Sequence, residues 1–508
     1  MAAPAILHVT SLFGGGVDRH LRDAVAGVAR PALIWHAGAL AEAMEDTASS
    51  RVDALVPEAF ASGKDAIGAY LRSHRVGLVH LHSLGEAERE RAAWAAKALG
   101  APLVVTLHDI LFLDAKAFER ADPLAGDPAW LAKTGDFLRT AAAVIAPSRW
   151  LADLARDRVP GLAVEVIENG VGSLRSLGSG ATSYLSPGDR YDVAPDPESA
   201  RAAFAARPPR ACVAMLGAIG PHKGAELADD IAQHLAPHGI ALVVVGYLDR
   251  QLFPGWRGES IFVHGPFRDV DGPALLRAYG AKLVVMPNAV PDSFSYALSD
   301  AWIAGVPVVA APVGAIAERI GEHDGGWLLP PAFDGQVVAR EIVRLVDGDL
   351  AEDRRRVESL LSRPDPARVP TLDAMTRSLD ALYARLGIDP ADPGAAGKDA
   401  IAHLVATNLD GRLLRAELAR LADETAQALG ALESTKARAD AFEKEARGWI
   451  GKLEADVAAL QSALRESDAA RDALAKEADA LRLDREALER LPSILRRILR
   501  KLAFDARR

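Results

Sequence analysis

Short, wholly apolar runs, each followed by a stretch of helical period, occupy this chain twice over and then cease. The first series covers residues 6–9, 32–35, 77–81, 103–107, 143–146 and 164–167. A strand that is apolar on both sides needs cover on both faces, which a parallel sheet between two helical layers provides. Such alternation implies a doubly wound α/β domain, with ligands outside the carboxyl ends of its strands. It restarts at 211–216 and continues through 240–245, 260–263, 283–286 and 306–310, so a second domain of the same class is expected. Amphipathic helices at 337–346 and 371–386 close it. Residues 173–200 are rich in Ser, Gly, Pro and Asp and keep neither period, as in a linker or an insertion. The expected boundaries are a first Rossmann-like domain over 1–172, a linker over 173–205 and a second Rossmann-like domain over 206–370. A helix crossing back over 371–388 and a linker over 389–401 follow.

From about residue 402 the composition turns to Ala, Leu, Glu, Arg and Asp, with no proline before Pro492. Leu414, Leu418, Leu421, Ala428 and Leu432 recur at spacings of three, four or seven, and Leu453, Val457, Leu460 and Leu464 continue in a shifted frame. That pattern reads as an α-helical coiled-coil tail over 402–490 with one stutter. So long an apolar seam is expected to make a homo-oligomer or to dock a partner helix, because a large exposed apolar face marks an interaction surface. The last segment, 491–508, sets Leu495, Ile498, Leu499 and Leu502 on one helix face, flanked by Arg496, Arg497, Arg500 and Lys501. A basic amphipathic helix of this kind lies on an anionic membrane surface.

The net charge of −10 argues against a nucleic-acid partner for the chain as a whole. The single cysteine, Cys212, excludes an internal disulfide and sits in an apolar run, as a buried structural thiol does. The first residues lack the basic start and apolar core of a signal peptide, and no run of 18 apolar residues occurs. A cytoplasmic protein, peripheral to the inner membrane face, is the expectation.

The densest chemistry lies at 281–310, AKLVVMPNAVPDSFSYALSDAWIAGVPVVA. It reads as a strand, a turn closed by Pro287 and Pro291, and a helix over about 294–304 that Gly305 and Pro307 end. Phe294, Leu298 and Trp302 recur every four residues and give the helix one buried face. Asp292 stands at its mouth and Asp300 eight residues on. The amides of Ser293, Ser295 and Tyr296 present the positive end of the helix dipole, an anion site. Carboxylates for sugar hydroxyls beside amides for a diphosphate suit a nucleotide-sugar. Three further segments follow strands. SLFGGGVDRH (11–20) offers Gly15 and Gly16 for close backbone approach to a ligand, with His20 behind them. VVTLHD (104–109) ends on His108, whose neutral ring can donate to or accept from a hydroxyl. MLGAIGPHKG (215–224) carries Gly217, Lys223 and Gly224.

Taken in order, these segments resemble the retaining, family 4-like glycosyltransferases, over roughly residues 5–386. APSR (146–149) and ENGV (168–171) also look like that family's segments. The resemblance implies the glycosyltransferase B fold, two Rossmann-like domains facing a cleft. It implies transfer of a sugar from a nucleotide-diphosphate sugar to a hydroxyl acceptor, carbohydrate or lipid-linked, in cell-surface polysaccharide or glycolipid assembly. By the same resemblance Lys223 neutralises the departing diphosphate together with the helix amides, and Gly217, Gly224, Ser293, Phe294 and Ser295 are expected to bind substrate. Asp292 and His108 hold the donor sugar, Asp300 the ribose, and Gly15, Gly16 and His20 the acceptor side. No cofactor is implied, and no metal is expected, because Lys223 and the dipole stand in for one. His80 and His82 point to one side of a strand but lack a third ligand. Three departures stand out. Both family glutamates are aspartates here, one methylene shorter, and the family's diphosphate arginine is replaced by Ala218, where His222, Arg250 or Arg319 could substitute. The rival reading is a catalytically decayed core serving as a coiled-coil scaffold.

Co-sedimentation with vesicles of anionic lipid should require residues 491–508. A chain truncated at 490 that pellets as fully as the intact protein would sink the membrane assignment.

Overall fold

The computed structural model describes residues 4–11, 15–28, 30–37, 42–47, 51–55, 60, 63–172, 197–248, 251, 254–267, 269–388 and scattered helical positions between 452 and 490. The first sheet contains β1 (Ala5–Thr10), β2 (Ala32–His36), β3 (Glu42–Asp46), β4 (Arg51–Leu55), β5 (Val76–Leu81), β6 (Leu103–Thr106), β7 (Ala143–Ala146) and β8 (Glu165–Val166). Their spatial order is β4-β3-β2-β1-β5-β6-β7-β8, parallel except at β2–β3 and β3–β4. The second contains β9 (Ala211–Ile219), β10 (Ile240–Leu248), β11 (Gly255–Arg257), β12 (Ile261–Val263), β13 (Ala281–Met286), β14 (Val308–Ala310) and β15 (Gly326–Leu328). Its order is β11-β12-β10-β9-β13-β14-β15, antiparallel only at β11–β12. In both sheets the chain winds outward on one side and returns to the other. The switch points therefore fall between β1 and β5 and between β9 and β13, where α/β sheets take ligands.

The expected apolar runs are all strands, and four further strands have a physical reason for going unseen. In β3 the carboxylates of Glu42 and Glu45 are buried, not solvated. Glu42 meets Arg91 Nη2 at 2.6 Å and the indole of Trp35 at 2.9 Å, while Glu45 meets Arg22 at 2.7 Å. Strand β4 follows it as the antiparallel edge, and β11 and β15, three residues each, are too short to show a period. Of the stretch expected as linker, residues 173–196 lie outside the described residues and the part that follows is ordered. Pro197–Ala205 is a helix, and Phe204 packs its ring against Tyr279, Phe262 and Trp256 at centroid distances of 5.0, 5.3 and 5.7 Å. Those partners belong to the second sheet's domain, which this helix joins. Cys212 is buried, donates to the carbonyl of Tyr279 at 2.9 Å, and burial pushes its thiol up to about 12, so it is inert.

Each sheet is covered on both faces, and one cover comes from far along the chain. Helix Leu372–Arg385 lays Met375, Leu379, Leu382 and Tyr383 against Ile6, Leu78, Val104 and Ile145 of the first sheet. Thr371 caps it by accepting from the amide of Ala374 at 3.2 Å. Tyr383 shares a 2.8 Å hydrogen bond with Nδ1 of the buried His80, and Arg385 donates to Glu165 at 2.6 Å. Arg30 pairs with Asp380 and donates to the carbonyl of Ile388.

Beyond the globular part, the described residues of 471–480 and 482–487 are helical and exposed, with i,i+4 pairs such as Arg485–Glu489 at 3.1 Å. Residues 402–451 and the segment 491–508 lie outside the described residues, as do Gly14 and Arg250. No helix among the described residues is long and apolar enough to cross a membrane.

Leu379 is 1% exposed within the core it shares with the first sheet. Leu379→Ala should cost about 2–5 kcal/mol in urea unfolding, the range for a buried leucine deleted from a packed core. An unchanged midpoint and slope would show that this helix does not support the first domain.

Candidate active site

Loops at the carboxyl ends of strands from both sheets enclose a cleft of about 680 Å³. Four residues before helix Tyr296–Ala304 form part of its second-domain wall. Ser295 holds φ +67°, a left-handed conformation uncommon for a residue with a side chain, and its hydroxyl accepts from the amide of Leu298. Beneath it the buried Arg319 donates to the carbonyls of Phe294 (2.9 Å) and Ser295 (3.2 Å) and to the hydroxyl of Ser299 (2.9 Å). Its guanidinium also lies 4.2 Å over the Phe294 ring. The carbonyl of Asp292 accepts from the amide of Ala315 at 2.9 Å. Gly314 (φ +67°) makes that approach feasible, since a Cβ there would sit 2.7 Å from the Asp292 oxygen.

The turn carrying Lys223 is tied to the same loop. Amides of Ala289 and Val290 donate to the carbonyl of His222 at 3.1 and 3.2 Å. Gly224 (φ +82°) faces Pro287, whose carbonyl a Cβ would meet at 2.6 Å. Lys223 Nζ then lies over Gly217, 3.8 Å from where a Cβ would be. Across the cleft, the Ser293 hydroxyl donates to the carbonyl of His108. Gly16 faces the ring of Tyr296, 3.6 Å from where its Cβ would stand.

The first-domain wall is built of histidines. His82 Nδ1 lies 3.2 Å from His108 Nε2, and His82 Nε2 lies 2.9 Å from His8 Nδ1. The His20 ring packs edge-on against His108 at a centroid distance of 4.7 Å. Burial pushes the His20 ring down to about 4 and those of His82 and His108 well below the usual histidine range, so all are neutral at physiological pH. Asn169 lies near enough to oppose the shift of His20 without closing a hydrogen bond. Burial also raises the carboxyl of Asp109, on the cleft wall, to about 6.

Of the residues singled out by sequence, Gly15, Gly16, His108, Gly217, Lys223, Asp292, Ser293, Phe294, Ser295 and Asp300 line this one cleft. Two stand elsewhere. His20 is 2% exposed and lies behind His108, and Gly224 packs on Pro287. Phe294 borders the cleft with its ring 2% exposed under Arg319. The helix begins at Tyr296, two residues later than its period suggested, because the left-handed turn at Ser295 precedes it. Arg319 is fully engaged with backbone carbonyls and Ser299, so it does not replace the arginine missing at Ala218. His222 does line the cleft, its ring stacked on Phe118 at 6.0 Å. The pair His80 and His82, short of a third ligand in sequence, is joined by His8, and His82 also meets His20 and His108; within each triplet one ring nitrogen per residue lies within 4.8 Å of the others.

Sequence reasoning missed Arg19, Tyr296 as a wall and Asn169. Arg19 reaches across to Asp300 at 3.3 Å and covers the Tyr296 ring at 4.2 Å. Its place beside His20, in a glycine-led helix start, was the available signal.

Two family models match the chain, Glycosyltransferase Family 4 over residues 51–172 and Glycosyl transferases group 1 over residues 210–348, together about half its length. Among solved structures it is similar to the sucrose-phosphate synthase of Thermosynechococcus elongatus, with a TM-score of 0.53 and 17% identity, covering 76% of this chain and 99% of that one. It is also similar to Anabaena HepE in complex with UDP-glucose, with a TM-score of 0.50 and 18% identity, covering 75% of this chain and 99% of that one. At such identity these likenesses speak for the fold. Comparison with curated proteins finds no significant match. The family models and the shared two-domain architecture agree, and the chain belongs to the family 4-like glycosyltransferases of the glycosyltransferase B fold.

Proposed function

We propose that this protein transfers a hexosyl group from a nucleoside diphosphate sugar to a hydroxyl acceptor, with retention at the anomeric carbon. The observation that carries the reading is the convergence of Lys223, the amino end of helix Tyr296–Ala304, Asp292 and His108 on one cleft. The diphosphate fits against the ammonium and the helix amides, where a low-dielectric wall strengthens their pull. Donors bound by structural neighbours support the class, UDP-glucose in HepE among them. The bond between the anomeric carbon and the phosphate oxygen breaks as Lys223 and the amides take up the growing negative charge. The acceptor oxygen then attacks from the face the diphosphate leaves, and its proton passes to the departing phosphate oxygen. Asp292 and His108 orient the sugar hydroxyls during this step. Asp300 serves the ribose, exchanging its contact with Arg19 for the sugar hydroxyls.

The acceptor we infer is a carbohydrate or lipid-linked alcohol of cell-surface polysaccharide or glycolipid assembly, at the cytoplasmic face of the membrane. The basic amphipathic pattern of 491–508 supports that placement, and the apolar seam of 402–490 supports a homo-oligomer. Ala218 on the cleft wall favours the rival reading, a silent scaffold. Nucleotide-sugar binding decides between them, since a scaffold shows none.

Lys223→Ala should lower kcat by about 100-fold, as expected for one transition-state charge partner in a preorganised site. Turnover unchanged in that variant would mean the diphosphate sits elsewhere.

The two aspartates should separate by assay. Asp292→Asn should cut turnover and leave nucleoside diphosphate affinity near wild type in calorimetry. Asp300→Asn should instead weaken that affinity, by about 10-fold or more for a charged hydrogen bond of roughly 1.5–3 kcal/mol. Equal effects of both substitutions on nucleotide binding would refute the assignment of one to sugar and one to ribose.

A further inference from the structure

We propose that His20, His82 and His108 form a binding site for a divalent transition metal of the zinc class on the first-domain wall of the cleft. The three rings come from separate elements: helix Gly15–Gly27, the residue after β5 and the loop after β6. One ring nitrogen of each lies within 4.8 Å of the other two. The 3.2 Å separation of His82 Nδ1 and His108 Nε2 is close to the edge of a tetrahedron with zinc–nitrogen bonds of about 2.0–2.1 Å, which is about 3.4 Å.

A second observation points to a ligand independently. His20 is 2% exposed, and neither of its ring nitrogens has a hydrogen-bond partner. Buried polar side chains are satisfied as a rule; Asn169 lies near this ring without closing a hydrogen bond, and a cation shared with His82 and His108 would satisfy it. The orienting contact of a histidine site is also in place. His82 reaches the group through Nδ1, and its Nε2 lies 2.9 Å from His8 Nδ1, a hydrogen bond that holds the ring and its tautomer.

The neighbouring triplet of His8, His80 and His82 is equally compact, yet it is a weaker site. Both nitrogens of His80 are engaged there, with Tyr383 at 2.8 Å and Thr106 at 2.7 Å. Three imidazoles without a carboxylate select a borderline metal such as zinc over magnesium or calcium, which require oxygen ligands. His20 and His82 are buried, whereas His108 lines the cleft. The fourth coordination position therefore opens towards the cleft, where a water or a sugar hydroxyl can fill it.

The full-length protein, free of any polyhistidine tag, is stripped with a chelator, loaded with Zn2+ and passed through gel filtration for metal analysis. Co2+ loading follows in the visible spectrum. A single Zn2+ per chain and the intense absorption of tetrahedral cobalt are expected. Both should be lost in His20→Gln and in His108→Gln and kept in His234→Gln, a substitution on the partly exposed helix Ala225–Leu235. Circular dichroism checks that each variant is folded. If His20→Gln does not fold, His108→Gln, on the cleft wall, decides alone. Wild-type protein that retains no metal, or folded His108→Gln that retains as much, would overturn the proposal. Metal content is read without turnover, so its failure leaves the transfer reading untouched.

Discussion

The guanidinium of Arg319 governs the geometry of the loop before helix Tyr296–Ala304. It is buried in the second domain, and burial lowers its affinity for a proton to about 10, which leaves it charged at any physiological pH. A buried cation is costly unless its donors are all used. Here they reach the carbonyls of Phe294, Ser295 and Arg368 and the hydroxyl of Ser299. The first two carbonyls belong to the segment that turns left-handed at Ser295, so the same bonds that satisfy the charge hold the backbone in a strained form. The helix amides consequently face the cleft before any ligand arrives, and a fixed positive charge lies directly beneath them.

From that point the site is a set of loops braced against one another. The Asp292 loop is held by Ala315 on one side and by the Lys223 turn on the other, and Ser293 reaches the backbone of His108 in the opposite domain. Groups from both domains that line the cleft thus share a frame of backbone hydrogen bonds. The contacts between Arg19 and Asp300 and between Gly16 and Tyr296 extend the frame to the glycine loop. Both domains therefore contribute to the positions of Ser293, Tyr296 and Asp300 in the cleft.

Much of this was legible in the sequence, because a strand buried on two faces must be apolar throughout and a ligand loop needs glycine or a polar residue directly after it. Where buried charge replaces apolar surface the reading failed, as with Glu42 and Glu45, whose partners lie on other elements. Gly224 shows a different limit. A glycine required by close packing on Pro287 looks the same in sequence as one required by a ligand. Arg19 and His20 were visible as residue types, yet their partners lie across the domain boundary or in a separate strand, and no spacing rule reports such a meeting. Where the pattern was strongest, at 281–310, the helix still began late, because Arg319 stabilises a turn that local propensity disfavours.

The helix Leu372–Arg385 belongs in sequence to the end of the globular part and in space to its beginning. A ribosome finishes the first domain's eight strands by residue 166, but the apolar face formed by Ile6, Leu78, Val104 and Ile145 waits for about two hundred more residues. At 5–20 residues per second that wait is roughly 10–40 s. Throughout it that face is covered only in part, by Ala24 and Val28 from the first domain itself. Completion of the first domain's core is thereby made conditional on synthesis of the second, and the order of packing departs from the order of the chain.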